Sequence, residues 1–344
     1  MFHLSINVEN FSCKDNIFGR VKMQETLPNQ SNVAYDGLFS AIVPCYNERD
    51  AIPIFYAEFL RVIDLMGNPD FELIFVDDGS TDTTFEYLQE LSALDTRVKC
   101  ISFSRNFGKE AAMYAGLESA KGDYVAIMDA DLQDPPSLLP EMFEAIKSGY
   151  DSVATRRRNR DGECPIRSFG ARLFYKVLNK ISKLKFTEGA RDFRLMKRRM
   201  VEAILAMPEY NKFLKGMYEW VGFNTKWIEY DNVERSTGST KWSTWGLFIY
   251  SLDALTSFSK IPLVLVSALG VGFCMLSVVA IILLSIRQLI WHNSAFGWTS
   301  MVCIMFFLSG IQLFCLGILG NYISKIFTET KKRPYYIVKS KTNI

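Results

Sequence analysis

The sequence predicts an α/β domain built on a doubly wound, mostly parallel sheet, followed by interfacial helices and a two-helix transmembrane hairpin. Three observations carry that prediction. From residue 38 short β-rich runs alternate with amphipathic stretches, the runs end in polar clusters, and beyond residue 261 two long apolar stretches hold no charged residue.

Residues 1–37 are polar and lack the apolar core of a signal peptide, so they are expected to form a flexible extension. Everything motif-like follows Met23, an alternative start to Met1. Within 38–240, the expected soluble domain, Leu38–Val43, Glu72–Val76, Val98–Phe103, Tyr124–Met128 and Ser152–Thr155 read as strands. Residues 52–66, 83–94, 109–120 and 137–148 carry helical spacing. Such alternation implies parallel strands joined by helices, with ligands bound at the carboxyl rim of the sheet. Residues 169–184 set apolar and aromatic positions opposite Arg172, Lys176, Lys180 and Lys183, the pattern of an interfacial helix or an ordinary core helix. Residues 241–261 form an aromatic-rich juxtamembrane segment.

Pro262–Ile286 and Phe296–Ile323 each exceed the roughly 20 residues that cross a bilayer core. The connection Arg287–Ala295 is too short for another element, so both outer ends should lie on one side. Lys325, Lys331, Lys332, Arg333, Lys339 and Lys341 follow the second stretch, against Arg287 alone in the connection. The positive-inside bias then places the soluble domain, a basic tail over 324–344 and both termini in the cytoplasm, on the cell membrane.

Lys and Arg number 39 and Asp and Glu 37, a balance that argues against a nucleic-acid footprint. Seven cysteines show no Cys-x-x-Cys pairing, so disulfides and zinc are not expected. The histidines are His3 and His292, one in the extension and one in the hairpin loop. Chemistry in the soluble domain must therefore run without histidine, which removes Ser-His-Asp and His-metal mechanisms.

The strand ends hold the candidate chemistry. Pro44-Cys-Tyr-Asn-Glu48 follows the first, Asp77-Asp78-Gly-Ser-Thr-Asp82 the second, Ser104-Arg-Asn-Phe-Gly-Lys109 the third and Asp129-Ala-Asp131-Leu-Gln-Asp134 the fourth. In extended backbone Asp129 and Asp131 leave one face and approach one cation together. Their oxygens suit Mg2+ or Mn2+, which take one or two carboxylates and complete their shell with phosphate and water. No Gly-x-Gly-x-x-Gly or Walker-type Gly-Lys-Ser follows any strand, so dinucleotide and P-loop readings find no support.

These clusters, with Asp192-Phe-Arg194 and Arg235-Ser-Thr-Gly-Ser239-Thr-Lys241, resemble the family 2 glycosyltransferases of GT-A fold over about residues 38–325. Six motifs in order followed by a two-helix hairpin are most similar to the polyprenyl-phosphate branch, which includes dolichol-phosphate mannose synthases and bacterial enzymes that load glucose onto undecaprenyl phosphate. The resemblance implies a nucleotide-sugar site at Pro44, Tyr46, Glu48, Asp77, Asp78, Lys109 and Asp129. It implies a metal site at Asp129, Asp131 and Gln133. It also implies an acceptor-phosphate site at Arg191, Arg194, Arg235, Ser239 and Lys241. Asp129, Asp131, Asp192, Arg194, Arg235 and Lys241 would serve the chemistry. A helix-capping or turn role stands beside the binding role for Glu48 and for 78–82, and a solvated lysine beside it for Lys109. The basic run 156–160 reads as a loop facing phosphate or headgroups, or as plain solvated loop.

The implied reaction is inverting transfer of one sugar to a polyprenyl phosphate at the cytoplasmic face, giving a lipid-linked donor for cell-envelope glycans. UDP-glucose with undecaprenyl phosphate is the expected pair, with UDP-N-acetylglucosamine and GDP-mannose as alternatives. A homo-oligomer such as a tetramer is the expected assembly. The rivals are a processive polysaccharide synthase, which two membrane helices and the lack of Gln-x-x-Arg-Trp disfavour, and a non-catalytic membrane scaffold.

Overall fold

The computed structural model describes residues 36–157, 187, 189–210, 212–230, 261–291 and 297–344. Four parallel strands form its centre: β1 (Phe39–Cys45), β2 (Phe71–Asp77), β3 (Val98–Phe103) and β4 (Tyr124–Ile127). Between them run α1 (Ala51–Leu65), α2 (Thr84–Leu94) and α3 (Lys109–Ser119). After β4 a short 3-10 turn at Pro136–Leu138 leads into α4 (Leu139–Lys147) and β5 (Ser152–Arg157). The expected strands and helices up to this point all form, with ends shifted by a residue or two. Pro136 and Pro140 sit in the first turns of the helical segments they open, where no backbone N–H is needed.

Beyond β5, β6 (Ala190–Lys197) is followed by α5 (Arg198–Leu205), α6 (Leu214–Trp220) and β7 (Thr225–Tyr230). The sheet order is β7-β5-β6-β4-β1-β2-β3-β8, with β8 at Val338–Thr342. β6 runs antiparallel to both β4 and β5, and β8 runs antiparallel to β3. The sheet is thus mostly parallel, as expected, with two reversed strands. Arg191, Asp192 and Arg194 concealed β6 by reading as a polar motif.

Helices cover both faces, which is why β1 reads as a continuous buried run rather than an alternating one. One core packs Phe39, Phe75 and Val43 against Phe55, Phe59 and Phe143 of α1 and α4. The other packs Ile42, Ile74 and Ile101 against Met113 of α3 and Met200 of α5. A Cβ on Gly116 would lie 2.2 Å from Ile42 Cγ2, so glycine there lets α3 sit directly on β1.

Two long helices follow, α7 (Ile261–Trp291) and α8 (Trp298–Lys331), and the Phe273 ring meets the Phe307 ring edge-on at 6.4 Å. Among the described residues one stretch, Ile304–Lys331, is long and apolar enough to cross a membrane; Leu263–Phe273 is a shorter apolar run. Phe306, Phe307 and Phe314 are exposed, an apolar surface that a protein in water would not leave uncovered.

Residues 324–344 correct the reading of a basic tail. α8 continues to Lys331 and stops at Lys332, whose φ of 46° is left-handed. Tyr335 then meets the rings of Tyr114 and Tyr210 at 6.0 and 5.6 Å, and Tyr336 stacks on Phe103 at 4.8 Å. The Ser104 N–H donates to the Ile337 carbonyl, β8 extends the sheet, and Asn343 Nδ2 donates to the carbonyls of Ser92 and Val98. Lys339 and Lys341 are exposed on this edge strand while Val338 is half-buried, an alternation too short to distinguish from a charged tail.

Candidate active site

The carboxyl ends of β1 and β2 are tied together before they can bind anything. Asn47 takes a left-handed φ of 54°; its N–H donates to Ser80 Oγ at 2.9 Å and its Oδ1 accepts from the Thr81 N–H at 2.8 Å. The Glu48 N–H donates to Thr84 Oγ1 at 3.0 Å. Tyr46 and Glu48 are left half-buried at the rim, where a nucleotide base and ribose were expected. Gly79, with φ 69°, lies so close to Arg105 that a Cβ would come within 2.4 Å of its carbonyl carbon.

Three other residues of the expected nucleotide site are engaged within the protein. Pro44 is buried within β1 opposite Val76. Asp77, 1% exposed, accepts from the Ser80 N–H at 3.0 Å and from Ser102 Oγ at 2.7 Å. Asp78, also buried, accepts from the N–H groups of Phe107 and Gly108 and so fixes the loop that starts α3. Burial pushes the Asp78 carboxyl up from its ordinary value, against the pull of those two N–H donors. Both carboxylates shape the rim.

The expected pairing of Asp129 with Asp131 through extended backbone is corrected. β4 stops at Ile127, and residues 129–134 turn through Leu132, whose φ of 56° is unusual for a leucine. The Gln133 N–H donates to Asp131 Oδ1 at 3.2 Å inside this turn. A turn, not strand alternation, therefore presents these groups.

β6 supplies the opposite wall. Because it is antiparallel to β4, with Ile127 opposite Arg194, its first residues return to the carboxyl end of β4. Asp192 thereby meets Lys109, the first residue of α3. Lys109 Nζ lies 2.7 Å from Asp129 and 2.7 Å from Asp192, and Lys215 of α6 reaches the other Asp192 oxygen at 3.2 Å. Burial works against the charges here, but the partners prevail. Asp129 and Asp192 hold the Lys109 ammonium well above its ordinary range, and Lys109 with Lys215 hold the Asp192 carboxyl well below the usual carboxylate range. A depressed folded value means Asp192 contributes stability above the unfolded pKa of about 3.9 and loses it as pH falls through the folded value. Asp192→Asn is accordingly expected to flatten the fall of Tm on acidification below about pH 4, measured against the parent chain.

Arg191 points to the other side of β6. Its Nε donates to Asp134 Oδ1 at 3.1 Å and its Nη2 to Gln133 Oε1 at 3.2 Å. Asp134, fully buried, also accepts from the Tyr230 hydroxyl. Burial raises the Asp134 carboxyl, while Arg191 pulls it down. Gln133, expected near a metal, thus orients Arg191 through its side chain. Arg194 departs from expectation further: it is buried, with its guanidinium over the Tyr218 ring at 4.4 Å and its Nη1 donating to Ser152 Oγ at 3.3 Å. It lies beneath the rim and holds β5, β6 and α6 together rather than reaching an acceptor. Arg156 of the basic run pairs with Glu229. Arg235, Ser239 and Lys241, residues 158–160 and the helix expected at 169–184 lie outside the described residues.

Lys215, Asp134 and Tyr230 were not singled out from the sequence; Asp134 ends the Asp129 motif, and only that adjacency signalled it. Among the described residues no group of three or more His, Cys, Asp or Glu side chains could hold a metal ion. The half-buried Asp129 and Asp131 fit the other arrangement, in which a hard cation takes one or two carboxylates and shares its remaining positions with phosphate and water.

Residues 40–205 match the model of the family described as Glycosyl transferase family 2. A putative glycosyltransferase of Bacillus subtilis (strain 168), CsbB, is 42% identical over 303 residues, 88% of this chain and 92% of the relative. A prophage bactoprenol glucosyl transferase homolog of Escherichia coli (strain K12) is 40% identical over 300 residues, 87% of this chain and 98% of the relative. Among solved structures, glucosyl-3-phosphoglycerate synthase of Mycobacterium tuberculosis in complex with phosphoglyceric acid aligns with a TM-score of 0.45 at 20% identity, over 65% of this chain and 81% of that one.

Proposed function

The chain belongs to glycosyl transferase family 2, and from that premise we propose that it moves one glucose from UDP-glucose to undecaprenyl phosphate at the membrane surface. That it is a glycosyltransferase of GT-A-like α/β fold follows from the family; donor, acceptor and site roles are the proposal. The observation that carries it is the convergence of Asp129, Lys109, Asp192, Lys215 and Arg191 at the carboxyl rim of the sheet. The bactoprenol named for the Escherichia coli relative supports a polyprenol carrier.

In this reading Asp129 and Asp131 hold Mg2+ or Mn2+, which when bound offsets the charge gathering on the departing diphosphate. Lys109 faces the same diphosphate. Arg191 and, outside the described residues, Arg235, Ser239 and Lys241 receive the acceptor phosphate. A phosphate oxygen of the acceptor forms the new bond to the sugar C1, and the C1–O bond to the diphosphate breaks with its electron pair leaving on UDP. That oxygen is already anionic at neutral pH, so a site without histidine suffices. Attack from the face opposite the leaving group inverts C1. Asp192, kept ionised between two lysines, orients Lys109 and needs no proton of its own to move.

α7 and α8 are read as two membrane spans at 262–286 and 296–323, with the domain over 38–240 and both termini in the cytoplasm, and the protein as a homo-oligomer. The apolar surface of α8 and a lipid acceptor both support placement at the bilayer. The test uses purified protein, undecaprenyl phosphate, Mn2+ or Mg2+ and a panel of labelled nucleotide sugars, scored for label in the lipid phase. Label from UDP-glucose is expected; label from UDP-N-acetylglucosamine or GDP-mannose alone would reassign the donor, and none from any donor would end the proposal.

A further inference from the structure

We propose that Lys109 is an ion-exchange residue: its ammonium guards the Asp129 carboxylate against a divalent cation and releases it only when a nucleoside diphosphate arrives to take the ammonium. This rests on the reading of Asp129 as a cation ligand given above. Lys109 Nζ sits 2.7 Å from Asp129 Oδ1 and 2.8 Å from Oδ2, so a single ammonium covers both oxygens a cation would need. The same ammonium is 2.7 Å from Asp192, whose other oxygen is 3.2 Å from Lys215. Lys109 thereby cancels the Asp129 charge at close range, which weakens the pull of that carboxylate on a free cation.

A cation bringing its own diphosphate changes that balance. The Lys109 side chain is 44% exposed, and it starts α3, where the helix dipole favours an anion. Phosphate oxygens can therefore take the ammonium from Asp129 as the cation takes the carboxylate. Lys215 stays on Asp192 throughout, so no carboxylate in the cluster is left without a positive partner at any stage. Cation and diphosphate then bind with positive coupling, which must be the same whichever is added first. The free cation is held off, and the site loads the pair.

The experiment measures Mn2+ binding to the full-length protein by electron paramagnetic resonance, without and with UDP, so turnover plays no part in the readout. Wild type is expected to bind Mn2+ alone weakly and to bind it far more tightly with UDP. Lys109→Met is expected to bind Mn2+ alone about fivefold more tightly than wild type and to gain correspondingly less from UDP. Lys109→Gln should behave the same way and serves if the methionine variant does not fold, as judged by its thermal transition. Lys215→Met removes an equal charge from the cluster but leaves Asp129 covered by Lys109, so it should tighten binding of Mn2+ alone clearly less than Lys109→Met does. Wild-type affinity for Mn2+ alone in both Lys109 variants, or equal tightening by Lys215→Met, would overturn the exchange while leaving the metal site standing. No Mn2+ binding to wild type even with UDP would overturn the metal reading and the exchange together.

Discussion

Asp129→Asn is expected to lower the rate of sugar transfer about a thousandfold while the folded chain melts near the parent temperature, because it removes charge stabilisation aimed at the leaving diphosphate. Asn keeps the size of the side chain but not its charge, and Lys109 retains Asp192 as a partner, so the turn has little reason to collapse. The effect belongs in kcat and kcat/KM alike, since the charge that Asp129 manages develops as the bond to the diphosphate breaks. Initial rates at saturating donor, set beside a thermal melt, separate this from unfolding. Transfer within tenfold of wild type would remove Asp129 from the chemistry.

Deleting residues 334–344 is expected to destabilise the folded domain by about 3 kcal/mol, from the lost packing of two half-buried tyrosines. Tyr335 and Tyr336 cover Tyr114 and Phe103, and without β8 the backbone of β3 becomes an unpaired sheet edge. The denaturant midpoint of the detergent-solubilised chain, followed by tyrosine and tryptophan fluorescence, gives the measurement. A loss below about 1 kcal/mol would return this segment to the status of a tail, since surface changes away from packed features usually fall within that range. The segment also joins the end of α8 to the sheet, so the deletion cuts that link between the long helix and the domain and leaves the bond from the Tyr210 N–H to Glu329 at 2.8 Å.

Much of the fold was legible because its signals are local. β1 to β5 and the helices between them announce themselves by apolar runs and helical spacing, and the parallel order follows from that alternation. β6, β7 and β8 escape the sequence for a shared reason: each carries charged residues within a short run, and each is stabilised by a neighbour far away in sequence. The long uncharged stretches were legible as helices, since apolar length needs no partner to be recognised.

The site divides along the same line. Asp129, Asp131, Lys109, Arg191 and Asp192 could be named from their motifs and the family those motifs resemble. Their relations could not. Whether Asp77 meets a base or a serine, and whether Arg194 faces a phosphate or an aromatic ring, depends on burial, which is a property of packed elements and not of a motif. Lys215 carried no signal at all in a chain with 39 basic residues.

The sequence by itself determined the α/β class, the strand ends where the chemistry collects and the apolar lengths that point to a bilayer. Only the tertiary structure decided that β6 runs backwards, and that reversal brings Asp192 from 63 residues downstream (192 − 129) to share one lysine with Asp129. The reason is physical. Periodicity and composition act over a few residues, whereas an ion pair between distant strands is set by the register of a hydrogen-bonded ladder, which no local pattern records.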